Sequence, residues 1–434
     1  MRGRGISNEG SRPAASGHET WSGVLIPLAC VLLGVGLGVQ CGKTAAPQPE
    51  TASLPSTPSL PAATPSAAPP AATKPALLPP SVTSRATAAT FRGDAGLTGV
   101  FAGPAPEMPV GIRWRATTGG TPTGGLVWDG NSFFVALAEG TVIAFDAQGR
   151  ERWRRGAALD GIAGPPLVIR NRCVVVSPSG TFAAFDTTSG ELVWRFTAPV
   201  DIAPRHAPSP VSDNLVSISQ SDGRLLALDS FSGRLRWISN PGARCDGPLS
   251  AADNQLFFGN CNAALQIHSA DDGAEIASLP LGPGAEVAGA VAVQGSQACF
   301  GTRSGDVILL ERSSNTIRWR TRVAEAEVFS SPALTADLAV ITTAEAQVVA
   351  LATADGTIRW RYDTHQRSAT SAILVEGYVI IGASGIMYAL DAKTGSLLWH
   401  LAVGDATTEP VTGAGLIVVG TDEGDIVAIG SRRP

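Results

Sequence analysis

Short runs of alternating apolar and polar residues recur along the chain, broken by glycine turns. Leu215–Ser219 and Arg224–Leu228 flank Asp222-Gly223, and Leu416–Gly420 and Asp425–Ile429 flank Glu423-Gly424. Period-two alternation around such a dipeptide predicts a β-hairpin. A second element comes next: Ala184 through Asp186 and Gly190 to Trp194, Ala227 through Asp229 and Gly233 to Trp237, and Ala389 through Asp391 and Gly395 to Trp399. In this Ala-x-Asp-x-x-x-Gly-x-x-x-Trp pattern, Asp ends a strand by accepting turn N–H groups. Gly supplies a positive φ, and the next strand carries an indole large enough to wedge between sheets. Ahead of the hairpins lie short segments, several entered through proline: Pro166, Pro210, Pro248, Pro332 and Pro410. Each unit therefore predicts four strands.

The units keep a beat. Trp114, Trp153, Trp194, Trp237, Ala277, Trp319, Trp360 and Trp399 are spaced by 39, 41, 43, 40, 42, 41 and 39 residues. A period near 40 with four strands per repeat predicts an all-β propeller of four-stranded antiparallel blades. The strand at Trp114 has no inner strands before it, and the strands ending near Ile429 have no outer strand after them. Pairing the N-terminal strand with the C-terminal blade closes eight blades and removes the open edge. The tryptophans are expected to be blade-docking wedges.

The amino terminus breaks the pattern. Arg2, Arg4 and Arg12 precede an apolar run from Val24 to Val39 inside the uncharged stretch Thr20–Gly42. That is an export signal, kept as a signal anchor or cut as a lipoprotein signal with Cys41 lipidated. Both versions place the residues beyond about 42 outside the cytoplasm, with the arginines inside. The expected divisions are a 1–23 n-region, a 24–42 signal segment, a disordered Ala/Pro-rich linker at 43–90 and the propeller at 91–434.

Charge excludes one class of function. From Phe91 onward, 26 Lys and Arg face 34 Asp and Glu. A nucleic-acid binder needs a basic stripe to release counterions.

The docking element resembles that of pyrroloquinoline-quinone-type (PQQ-like) propellers. Phe91-Arg92-Gly93-Asp94 with Leu97-Thr98-Gly99-Val100 resembles the lead-in common in these repeats. The resemblance covers about 91–434. One branch comprises quinoprotein dehydrogenases that bind the quinone with Ca²⁺. The other comprises non-catalytic propellers, including the BamB-type outer-membrane-assembly lipoprotein. The chain has no adjacent Cys-Cys pair, no Cys-x-x-Cys-His, and no catalytic serine, zincin or phosphate-loop motif.

The remaining candidates lie in loops. Cys245 precedes the first strand of blade four and Cys261 sits at its hairpin, on one face of a propeller. A disulfide between them is expected to compensate for Ala277, by about 3 kcal/mol in the chain-entropy model. Cys173 and Cys299 read as buried hydrophobes. His206 and His365, beside Arg205 and Arg367, are assigned to the loops leading into blades three and six. With Asp201, Asp246, Glu327 and Glu409 they form a candidate binding mouth. The leading expectation is a non-catalytic, monomeric, membrane-tethered extracytoplasmic scaffold. It would bind protein partners in the cell envelope, with no cofactor and no nucleic acid. The alternatives are a quinone- or Ca-dependent oxidoreductase and a sensor ectodomain.

Overall fold

The computed structural model describes residues 88–405 and 407–432. The n-region, the signal segment, Cys41 and the linker up to residue 87 lie outside the described residues. Eight sheets form eight blades. In blade three the strands run outward in chain order: Ser209–Val211, Asn214–Ile218, Leu225–Asp229 and Leu235–Ser239. Blades one to seven repeat this order. Blade eight is composite, with Val110–Thr117 pairing antiparallel with Asp425–Ser431 so that Trp114 faces Ala428.

Two blades depart from four strands. Ala88–Ala89, expected in the linker, adds to the innermost strand of blade two. Val100–Phe101 adds in parallel to the innermost strand of blade seven. Both extra strands lie on the axial side of their sheets.

Burial follows position in the blade. The second strand of blade one, Phe133–Leu137, is buried at every residue, because neighbouring blades cover both of its faces. The outer strand Leu192–Thr197 buries Trp194 between exposed neighbours. Eight apolar clusters each join two adjacent blades. The cluster containing Phe133 and Val418 joins blades one and eight, so the ring of interfaces is continuous.

The tryptophans dock as the beat implies. Trp153 Nε1 donates to the Thr187 carbonyl at 3.0 Å, in the turn of the next blade. Trp114, Trp194, Trp237, Trp319 and Trp360 make the equivalent bond. The ring lies on the turn glycine: a Cβ on Gly190, whose φ is +70°, would come within 2.6 Å of Trp153. Glycine is needed there for backbone conformation and for room. Trp399 Nε1 is buried without a partner among the described residues. Blade eight explains this, because its third and outer strands come from opposite ends of the chain and no turn joins them.

Blade four lacks the wedge, and the structure does not fill the role with a disulfide. Cys245 carries a buried thiol, so no bond joins it to Cys261, and Cys173 and Cys299 are buried thiols as well. The seam between blades four and five instead holds Arg312, which extends from the blade-five turn. It donates to Gly295 O in blade five, and to Asp253 (3.0 Å) and Gln255 (3.3 Å) in blade four. Its guanidinium lies 5.0 Å over the Phe257 ring.

Candidate functional site

Strands alternate in direction within a blade, so the loops between blades and the second hairpins share one face. The first hairpins and the Asp-to-Trp turns share the other. The candidate mouth lies on the former face. Its loops nest tightly: a Cβ on Gly164 would meet His206 Cα at 3.0 Å, and one on Gly289 would meet Phe329 O at 2.7 Å.

Blade three places a side chain in this crowded ring. His206 Nε2 lies 3.0 Å from the Asp246 carbonyl and 2.8 Å from Gln220 Nε2, which also donates to that carbonyl. Burial lowers the His206 pKa below the ordinary histidine value, against the opposing pull of Glu409 and Asp246. The imidazole is therefore neutral near pH 7.

Arg303, in the second hairpin of blade five, ties the neighbouring loops together. It pairs with Asp246 and Glu327, at 3.2 Å each, and lies 5.0 Å over the Phe329 ring. Arg244 pairs with Asp246 from the other side at 2.9 Å. These pairs are partly solvated and each adds roughly 0–1 kcal/mol to stability. Their consequence is a pre-set arrangement of charge beside a partly exposed phenylalanine. Farther out on this face, a groove of 320 Å³ between blades five and six is lined by Arg322, Glu325, Glu345, Gln347 and Arg361. Glu325 is 95% exposed and pairs with Arg322 at 3.4 Å. This is a solvated surface pair.

The other expected mouth residues do not converge on this node. Asp201 contributes its carbonyl to Arg224, and Arg205 and Arg367 are exposed. His365 comes after the outer strand Ile358–Asp363 of blade six and so leads into blade seven, correcting its assignment to the loop entering blade six. It is 85% exposed and lies 3.5 Å from Asp363. Glu409 turns inward instead and pairs with Arg92 at 3.7 Å.

Arg92 belongs to a segment that fills the axis. Its guanidinium is fully buried and donates to Pro332 O (2.9 Å), Ala372 O (3.1 Å) and Ser331 O (3.2 Å). Burial lowers its pKa, opposed by Glu409 and Asp94, yet an arginine stays charged across any working pH. Inner-strand N–H groups of four successive blades are occupied by carbonyls of the same segment. A planar cofactor on the axis would have to displace these residues, so the fit for a quinone is poor. Among the described residues no three His, Cys, Asp or Glu side chains are grouped to hold a metal ion.

Sequence patterning directs attention to the loops between blades and so misses Arg303, Gln220 and Phe329 as members of the node. Arg303 sits in a second hairpin on the same face, and that shared face is the signal that could have found it. Arg92 stands in the sequence as part of a lead-in motif, with no place in the ring assigned to it.

Known proteins agree with this architecture. A 126-residue stretch is 34% identical to outer membrane protein assembly factor BamB of Bordetella pertussis, covering 29% of this chain and 32% of that relative. The chain thus spans about a third of the length of that curated relative. The crystal structure of BamB from Moraxella catarrhalis superposes with a TM-score of 0.65 at 15% identity, covering 74% of this chain and 99% of that one. A quinohemoprotein alcohol dehydrogenase from Pseudomonas putida HK5 superposes with a TM-score of 0.63 at 11% identity, covering 80% and 81%. At such identities the superpositions report the fold alone. Residues 111–250 and 262–433 match the family described as outer membrane protein assembly factor BamB, and the chain belongs to that family.

Proposed function

We propose that the protein is a non-catalytic scaffold in outer-membrane protein assembly. It is held outside the cytoplasm by its N-terminal segment, through a signal anchor or a lipid on Cys41, and it binds a protein partner with its mouth. The carrying observation is the distribution of polar groups. The axis is filled by the chain's own backbone, whereas Arg303, Asp246, Glu327 and Phe329 present two signs of charge and an aromatic ring at the surface. Such a surface suits a protein partner, since aromatic and arginine side chains anchor interfaces. Membership of the assembly-factor family and the export-type amino terminus support the same reading.

A photoreactive residue placed at Phe329 in cells is expected to crosslink an assembly component. One at Phe231, on the opposite face and 65% exposed, is not. Equal crosslinking from both positions, or none from Phe329, would defeat the mouth as the binding face. Tight binding of pyrroloquinoline quinone with Ca²⁺, accompanied by dye-linked dehydrogenase activity, would defeat the non-catalytic reading.

A further inference from the structure

The innermost strand of every propeller blade is a sheet edge that faces the axis. Here one stretch of chain meets five of those edges, in blade two and in blades four to seven. Ala88–Ala89 pairs with blade two and Val100–Phe101 with blade seven. Between them, Ala95 O accepts from Ala251 N in blade four and Gly96 O from Val293 N in blade five. Thr98 O accepts from Leu334 N in blade six and Gly99 O from Leu374 N in blade seven. All four bonds are 2.8 Å long. This is the chemistry of strand addition, in which main-chain hydrogen bonds give affinity and side-chain pockets give selectivity.

Each conspicuous residue of the segment has a steric or polar reason. A Cβ on Gly96 would run into the Val293 carbonyl, and one on Gly99 into Arg92 Nη2. Asp94 holds the turn by accepting from Thr98 Oγ1 at 2.6 Å and from Thr98 N at 3.1 Å. Arg92 is the anchor, its charge carried by three inter-blade carbonyls and Glu409. Beyond Phe101, the residues Ala102, Gly103 and Pro104 are exposed. The link that leaves this segment is therefore open to a protease.

We infer that the axis is a built peptide-binding site, filled in cis by residues 88–101. Its ligand class is a glycine-punctuated peptide, strand-like at its two ends and turned between them about Asp94, with one buried arginine. The ring grips this peptide strongly enough to hold it after the chain is cut. The inference is independent of the partner assigned to the mouth.

The test inserts a site-specific protease sequence at Gly103 of the full chain and cleaves the folded protein. The N-terminal fragment is expected to co-elute with the ring in size-exclusion chromatography. A synthetic peptide of residues 88–101 is expected to exchange with a labelled fragment, and the same peptide with Arg92→Ala to compete at least about tenfold less well, a difference of about 1.4 kcal/mol. The peptide arm requires no substitution in the ring, so a failure of variants to fold cannot mask the answer. Separation of fragment from ring immediately on cleavage, or equal competition by the two peptides, would overturn the inference.

Discussion

Replacing Arg312 with alanine removes the side chain that occupies the seam beside Ala277, where the tryptophan wedge is missing. The structure sets the size of the loss. The hydrogen bond to Asp253 meets a carboxylate that is 82% exposed and contributes about 0–1 kcal/mol. The bonds to Gly295 O and Gln255 Oε1 involve a charged donor that is only 9% exposed. Such bonds contribute about 1.5–3 kcal/mol, counted together because they share one group. Stacking on Phe257 adds about 1–2 kcal/mol in a desolvated position. Taken together, these put the expected destabilisation of Arg312→Ala at about 2.5–6 kcal/mol. Arg150→Ala is the control, since Arg150 is 77% exposed and its chief partner is Asp146; it should cost no more than about 1 kcal/mol. Arg312→Lys should recover little, because a lysine lacks the planar fork that serves two blades at once. Urea denaturation followed by tryptophan fluorescence measures all three. If Arg312→Ala and Arg150→Ala unfold at the same urea concentration, the argument that Arg312 substitutes for the missing wedge is wrong.

Gly190→Ala and Gly377→Ala both force alanine into a positive φ, at +70° and +83°, but only the first drives a Cβ into an indole. Gly190→Ala should therefore cost about 1–3 kcal/mol more by urea denaturation, and equal losses would refute the docking argument. Burial pushes the Asp229 carboxyl up, but hydrogen bonds from Ser232 and the Arg236 partner outweigh it and hold the pKa at about 2. This folded-state value lies below the ordinary 3.8, so its stabilisation is present in full above that pH and is lost as pH falls through about 2. Asp229→Asn should lower the urea midpoint at pH 7 and much less at pH 2; an equal shift at both would refute the assignment. His206, whose pKa burial lowers, should destabilise the fold as pH falls below about 6.5, and His206→Gln should flatten that part of the pH–stability curve. Burial raises the thiol pKa values of Cys173, Cys245 and Cys299, the last two to about 12. A thiol reagent should label these three only after unfolding, as mass spectrometry can count.

The parts of this fold carried by side-chain repetition are legible in the sequence. Trp153, Trp194 and their equivalents recur because each blade must dock on the next, and Asp229 and Gly233 recur because each turn must close. The segment at 91–100 stands out as a lead-in motif, but its place on the axis is not legible there, for the opposite reason. It binds through the carbonyls of Ala95, Gly96, Thr98 and Gly99, and a backbone contact does not name the edge it meets. Ala277 announces a gap but not its occupant, because Arg312 comes from the following blade, and the nearby cysteines offer a more familiar staple. The mouth is half legible. The loops holding Asp246 and Glu327 are found by position, whereas Arg303, which joins them, lies in a hairpin that the beat treats as ordinary.

The composite eighth blade also sets an order of events. Thr117 and Asp425, which are hydrogen-bonded across it, are 308 residues apart in the chain. The first strand of the ring to be synthesised is thus completed by nearly the last, and no circle exists until that late partner arrives. Closing so long a loop adds little equilibrium cost, since each doubling of length adds only about 0.6 kcal/mol. It does delay folding, because such distant contacts are slow to find. Meanwhile Val110–Thr117 waits as an unpaired edge, and the outward-pointing Arg113 and Arg115 within it are the charges that keep a waiting strand from pairing with a stranger.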